Sequence, residues 1–206
     1  MADAEPDNGT RTKSYHEALG LFMEEFAKTE GFLRMLLFHY AQVSGSVGKA
    51  AFPSTSVDQT ITLISNITLV NDPGEPRRSD LDVVFQQLKS INQVRNSIVH
   101  FLPLDGIPGD VRHLTNAMRA LTEKHRRDIA VCATMLTEMT DDLQKVQAHI
   151  WYHLSFDRIP EFAVAMLDEV RRPPWRYQAP RQIKGTKSPR KSKRRENVTK
   201  REAGAL

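Results

Sequence analysis

From residue 111 to residue 154 the chain contains neither proline nor glycine, so nothing in its backbone chemistry interrupts a helix over that length. The second half of this stretch carries Ile129, Cys132, Met135, Leu136, Met139, Leu143, Val146 and Ile150, spaced by about three or four residues as on one face of an α-helix. One very long helix is expected here, or two helices broken near Leu121-Thr122. A helix with one apolar stripe is stable only if other elements cover that stripe, so the rest of the chain must supply matching faces.

It supplies several. From Tyr15, the residues Leu19, Phe22, Phe26, Leu33, Leu36, Leu37 and Tyr40 outline a long amphipathic helix that ends in Ser44-Gly45-Ser46-Val47-Gly48. Between Ser54 and Val70 the Thr and Ile content favours a strand. The caps offered by Ser54-Thr55-Ser56 and the three-residue spacing of Ile61, Ile64 and Ile67 favour a helix, which is the expectation. After Pro73, Gly74 and Pro76, Ser79 is placed to cap a further helix, with Asp80 and Asp82 in its first turn and Leu81, Val84, Phe85, Leu88 and Ile91 as its buried stripe. Pro103, Gly106, Pro108 and Gly109 stop it just after His100. A short helix is expected from Glu161 to Val170, before Arg171-Arg172-Pro173-Pro174-Trp175 ends regular structure. With no internal repeat and no clear strand, the fold class is all-α: an antiparallel bundle of about four or five main helices. Residues 1–13 are expected to be disordered, 14–171 to form the helical domain, and 172–206 to be a basic, largely disordered tail. Met135 and Met139 read as gap-filling core.

Charge divides along the same line. Residues 171–206 hold 13 Lys and Arg against two acids, whereas residues 1–170 hold 16 against 23, so a net charge of +4 conceals an acidic body and a basic tail. Lys184, Lys187, Arg190, Lys191, Lys193, Arg194 and Arg195 could neutralise phosphates without reading sequence, or could serve only as a solubilising arm. Cys132 is the single cysteine, which suits a reducing compartment. Neither a signal peptide nor an apolar run of membrane-spanning length is evident, so a cytoplasmic protein without membrane attachment is expected.

Chemistry concentrates in Arg95-Asn96-Ser97-Ile98-Val99-His100. An Arg followed five positions later by His has no weight alone, since 18 Arg and 7 His in 206 residues yield about 0.6 such pairs by chance. Arg11 with His16 and Arg34 with His39 share the spacing. Requiring Asn directly after the Arg lowers the expectation to about 0.02, and only Arg95 satisfies it. On a helix, Asn96 and His100 are an i, i+4 pair on one face, with Arg95 beside them.

The run from Leu88 through Arg95-Asn96 to His100 resembles the motif helix of the HEPN superfamily, small all-helical domains found in many prokaryotic RNases and toxins. The family signature is Arg, four to six residues, then His, with a polar residue directly after the Arg. Arg95, Asn96 and His100 fill those positions, and the order of helices over residues 14–155 is compatible with the family. The resemblance implies a metal-independent endoribonuclease without a cofactor, of the kind that serves as a toxin or defence effector with a neutralising antitoxin protein. It also implies a homodimer that brings two motifs together on RNA. In that reading RNA supplies its 2′-hydroxyl as nucleophile, His100 moves its proton, Arg95 holds the phosphate, and Asn96 orients His100 or the phosphate. The alternative is a non-catalytic HEPN-like helical module that binds RNA or protein.

Other candidates have blander readings. His149, His153 and Asp157 follow an i, i+4, i+8 spacing, but no Glu follows His149 as in zinc proteases, and they read as a semi-exposed helix end. His39 reads as an ordinary helix residue. Ser97 lacks the Gly-x-Ser-x-Gly elbow of serine hydrolases, and no phosphate-binding or dinucleotide-binding glycine loop is present.

Overall fold

The computed structural model describes residues 8–71, 73–74, 77–104, 111–122, 125–155 and 174–179, the side chains of 8–13 excepted. Five helices and three short strands follow in the order α1 (Asn8–Tyr40), α2 (Gly45–Ala51), α3 (Val57–Val70), α4 (Arg77–His100), β1 (Leu102–Pro103), β2 (Val111–Thr115), β3 (Asp128–Cys132) and α5 (Ala133–Ser155). The architecture is mainly helical, as expected, with a small sheet set on one end of the bundle. The helix expected at Glu161 to Val170 lies outside the described residues.

The apolar stripes become the core. Phe22, Phe26, Leu33, Leu36 and Leu37 of α1 are buried against Ile61 and Ile64 of α3, Leu81, Val84, Phe85, Leu88 and Ile91 of α4, and Leu136, Met139, Leu143, Val146 and Ile150 of α5. Hydrogen bonds fix the directions. Asp80 of α4 meets His149 and His153 near the end of α5, while Gln87 meets Asp142, so α4 and α5 are antiparallel. On α1, in contrast, Glu25 faces Gln147, Phe32 faces Trp151 and Tyr40 faces His153, so α1 runs in the same direction as α5.

The helix ends follow their local chemistry. At α3, Ser56 and Gln59 form a reciprocal capping box, which is why a Thr- and Ile-rich segment becomes a helix rather than a strand. The start of α1 lies at Asn8, inside the stretch expected to be disordered, because adding residues to an existing helix costs far less than nucleating one. Ser79 does not cap α4, which begins two residues earlier, at Arg77. Gln42 closes α1 with φ 55°, while Gln42 N–H donates to the His39 carbonyl and Val43 N–H to the Phe38 carbonyl. A short helix not expected from sequence, α2, then packs Gly48 against Phe38, where a Cβ would stand 2.5 Å from the ring.

The expected helix over 111–132 is instead a hairpin. β1, β2 and β3 form one antiparallel sheet in that order, with Leu102 opposite Thr115 and Leu114 opposite Ile129. Leu114 and Val131 face the core, while Val111, Ala130 and Asp128 are exposed, the alternation of a half-buried strand. Ile129 and Cys132 therefore belong to a strand, and α5 begins only at Ala133.

Packing also crosses the boundary expected at residue 171. Pro174 to Ala179 lies along α4 and α5, with Tyr177 buried and Trp175 packed against the core. The carboxylate of Asp142, fully buried, accepts hydrogen bonds from Gln87 Nε2 (2.8 Å), Lys145 Nζ (3.0 Å), Arg176 N (3.0 Å) and Tyr177 N (2.8 Å). Four donors offset the desolvation of one buried charge and strap this segment to the bundle.

Candidate functional site

The motif occupies the last two turns of α4, which ends at His100 as its following prolines and glycines require. Arg95 points toward α1, where its guanidinium carbon lies 5.0 Å from the centre of the Phe26 ring, a cation–π contact that holds a charged group against the core. Its Nη1 donates to Asn96 Oδ1 at 3.1 Å. Its Nε is buried without a hydrogen-bond partner among the described residues, so the guanidinium is packed as much as it is paired. His100 is exposed one helical turn beyond Asn96, and its imidazole makes no hydrogen bond or ion pair among the described residues.

Arg95 and Asn96 are thus brought into direct contact, while His100 stands apart at the helix end. The Asn96 side chain supports Arg95 rather than the imidazole. One turn earlier, Asn92 is buried and donates to Asp58 Oδ2 at 3.4 Å, which ties the motif helix to the start of α3. Val99 and Leu102, on either side of His100 in the sequence, are 48% and 50% exposed, and Leu104 follows at 37%, so the chain exposes apolar side chains along the segment that carries the imidazole. The two other Arg-to-His spacings lack this setting. Arg34 and His39 are exposed on α1, and His16 is exposed beside the Tyr15 ring.

His149 and His153 are not at a semi-exposed helix end. They are 4% and 3% exposed and share the Asp80 carboxylate, His149 Nδ1 at 3.1 Å from Oδ1 and His153 Nε2 at 2.9 Å from Oδ2. Tyr40 Oη lies 3.3 Å from His153 Nδ1, and burial raises its pKa above the usual phenol value. Trp175 stacks on His149. This polar cluster joins α1, α4, α5 and the strap at the end of the bundle away from His100. Its partners come from distant parts of the sequence, so only the i, i+4 spacing of the two histidines was visible. Asp157 lies outside the described residues, and among those residues no group of three or more His, Cys, Asp and Glu is arranged to hold a metal ion.

The tail residues Lys184, Lys187, Arg190, Lys191, Lys193, Arg194 and Arg195 lie outside the described residues. No described helix is long and apolar enough to cross a membrane. Comparison with known proteins finds no matching family model, curated protein or solved structure.

Proposed function

We propose that this protein is a metal-independent endoribonuclease of HEPN type, with its site on the last two turns of α4. The observation that carries the reading is that the last two turns of α4 hold both a cation anchored by Phe26 and Asn96 and an exposed imidazole that makes no hydrogen bond or ion pair among the described residues. RNA contains its own nucleophile. The 2′-oxygen attacks the adjacent phosphorus, the bond to the 5′-oxygen breaks, and the products carry a 2′,3′-cyclic phosphate and a 5′-hydroxyl. His100 accepts the 2′-hydroxyl proton, Arg95 stabilises the charge that builds on the phosphoryl oxygens, and Asn96 keeps Arg95 in place. The leaving 5′-oxygen needs a proton donor, which the His100 of a second copy supplies. The uncovered Val99, Leu102 and Leu104 give such a homodimer an apolar contact around the shared site. A toxin or defence role, with an antitoxin protein as partner, goes with this activity, and the basic tail adds affinity for RNA.

The test is incubation of purified protein with RNA in EDTA, followed by end-group analysis and a single 2′-deoxy substitution at the cut site. Cyclic ends and a blocked deoxy substrate are expected. Uncut RNA, or equal cleavage of the deoxy substrate, would remove the reading. One observation favours a non-catalytic binding module instead: the Arg95 Nε is buried without a partner among the described residues, as in a guanidinium used for packing. In that case, Arg95→Ala would lower stability and leave RNA intact in both proteins.

A further inference from the structure

The β2–β3 hairpin carries charge opposite to that of the body it belongs to. Residues 111–127 hold five Lys and Arg and one acid, within a stretch, 1–170, where acids outnumber bases by 23 to 16. Two of these bases are exposed and uncommitted: the guanidinium groups of Arg119 and Arg127 make no hydrogen bond or ion pair among the described residues. Arg126 differs, since its Nε pairs with Asp128 at 3.2 Å.

Both free arginines are hung from one residue. The Asn116 side chain accepts from Arg127 N at 2.6 Å and donates to the His125 carbonyl at 3.2 Å, while Asn116 N donates to the Arg127 carbonyl at 3.1 Å. The Asn116 carbonyl accepts from Arg119 N at 2.8 Å. At the base of the hairpin, the Arg112 guanidinium carbon lies 5.6 Å from the centre of the Tyr15 ring and ties β2 to α1. Asn116 directly follows Thr115, the cross-strand partner of Leu102, and Leu102 is two residues from His100. The clamp that sets both arginines therefore stands next to the end of the motif helix.

We propose that the β2–β3 hairpin is a grip for the RNA backbone, in which Arg119 and Arg127 bind phosphates flanking the one presented to Arg95 and His100. The proposal rests on the RNA-cleaving reading of that site and adds where the substrate is held. Arginine suits this task because its planar fork of donors matches phosphate oxygens and is always charged. Such contacts position a strand without reading its sequence. At the hairpin tip Met118 and Leu121 are 82% and 93% exposed, apolar side chains that can lie against unstacked bases beside gripped phosphates. Two such residues offer little area to a lipid surface, where affinity scales with buried apolar surface.

The experiment uses the full chain carrying His100→Ala, so that RNA is bound without being cut, and follows anisotropy of a labelled single-stranded RNA across a salt series. Adding Arg119→Ala and Arg127→Ala should weaken binding and make the slope of log affinity against log salt shallower by about 1.4, from about 0.7 per single-strand phosphate contact. Asn116→Ala should give part of that loss by loosening both arginines. An unchanged slope overturns the grip. So does a loss confined to vesicles of phosphatidylserine and phosphatidylcholine, which would make the hairpin a membrane contact. The end-group assay on protein with His100 intact fails or succeeds independently of this slope, so the grip and the chemistry are judged separately.

Discussion

At the level of single residues the motif splits into a packed half and an exposed half, and substitutions should separate them. His100→Ala removes an exposed side chain without partners among the described residues, so the thermal midpoint should stay within about 1 °C while cleavage falls by about 10²- to 10⁴-fold. Arg95→Ala should lower activity by a similar factor and also cost about 1 kcal/mol of stability, through the lost Phe26 and Asn96 contacts. Arg95→Lys should restore little, because an ammonium cannot stack flat on Phe26 while donating to Asn96. His39→Ala is the matched control, sharing the spacing on an exposed face of α1, and should cleave as wild type does. Single-turnover cleavage beside urea denaturation reads both quantities; equal activity in His100→Ala would remove the imidazole from the mechanism. That His100 would be exposed at a helix end could be read from the prolines and glycines after it. That Asn96 would serve Arg95 rather than His100 could not, because both rotamers are open to an i, i+4 pair on a bare helix.

Among the elements, α1, α3, α4 and α5 were legible because each repeats its apolar spacing over several turns. The β2–β3 hairpin was not. Its strands are five residues long, too short for alternation to outweigh a proline- and glycine-free background. Ile129 and Cys132 also continue the three- and four-residue spacing of α5 backward by chance. Most of all, the hairpin is closed by the Asn116 side chain, so the glycine or proline that usually announces a turn is missing. The end of α1 shows the opposite economy of signal: Gln42 takes a left-handed conformation that glycine adopts without strain. Gln42→Gly should therefore stabilise the protein by roughly 0.5–1 kcal/mol, less than the full left-handed penalty because glycine also loosens the unfolded chain. A lower denaturation midpoint in that variant would mean the Gln42 side chain makes a contact that outweighs the strain.

Taken whole, the molecule has a few polar clamps set across its core, and these bear on its pH range and tie residues 174–179 to the bundle. Glu25 of α1 takes hydrogen bonds from Lys28 and from Gln147 of α5, and the Lys28 ammonium holds its carboxyl below the ordinary value of 4.5. A depressed carboxyl contributes stability above the unfolded value that is lost as pH falls through the folded one, so stability should decline below about pH 4.5, and Glu25→Gln should flatten that limb. Burial raises the phenol of Tyr177, whose Oη has no hydrogen-bond partner among the described residues, above its usual 10.0. A raised phenol stabilises fully below the unfolded value and ceases to do so as pH rises through the folded one, so Tyr177→Phe should make the alkaline loss of stability smaller. Tyr177 belongs to the strap, and the strap belongs to the core. Ending the chain after Pro180 keeps the whole strap and serves as the reference. Ending it after Arg172 takes away the buried Tyr177 ring and two of the four donors on the buried Asp142 carboxylate, a loss on the order of 3–5 kcal/mol. Asp142→Asn in the full chain should destabilise in the same direction, because an amide turns a donor toward groups that are themselves donors, and should shift Trp175 emission to the red as the strap leaves His149. Equal urea midpoints for the two truncations would mean that the folded unit ends before the strap and that Asp142 stabilises α4 and α5 alone.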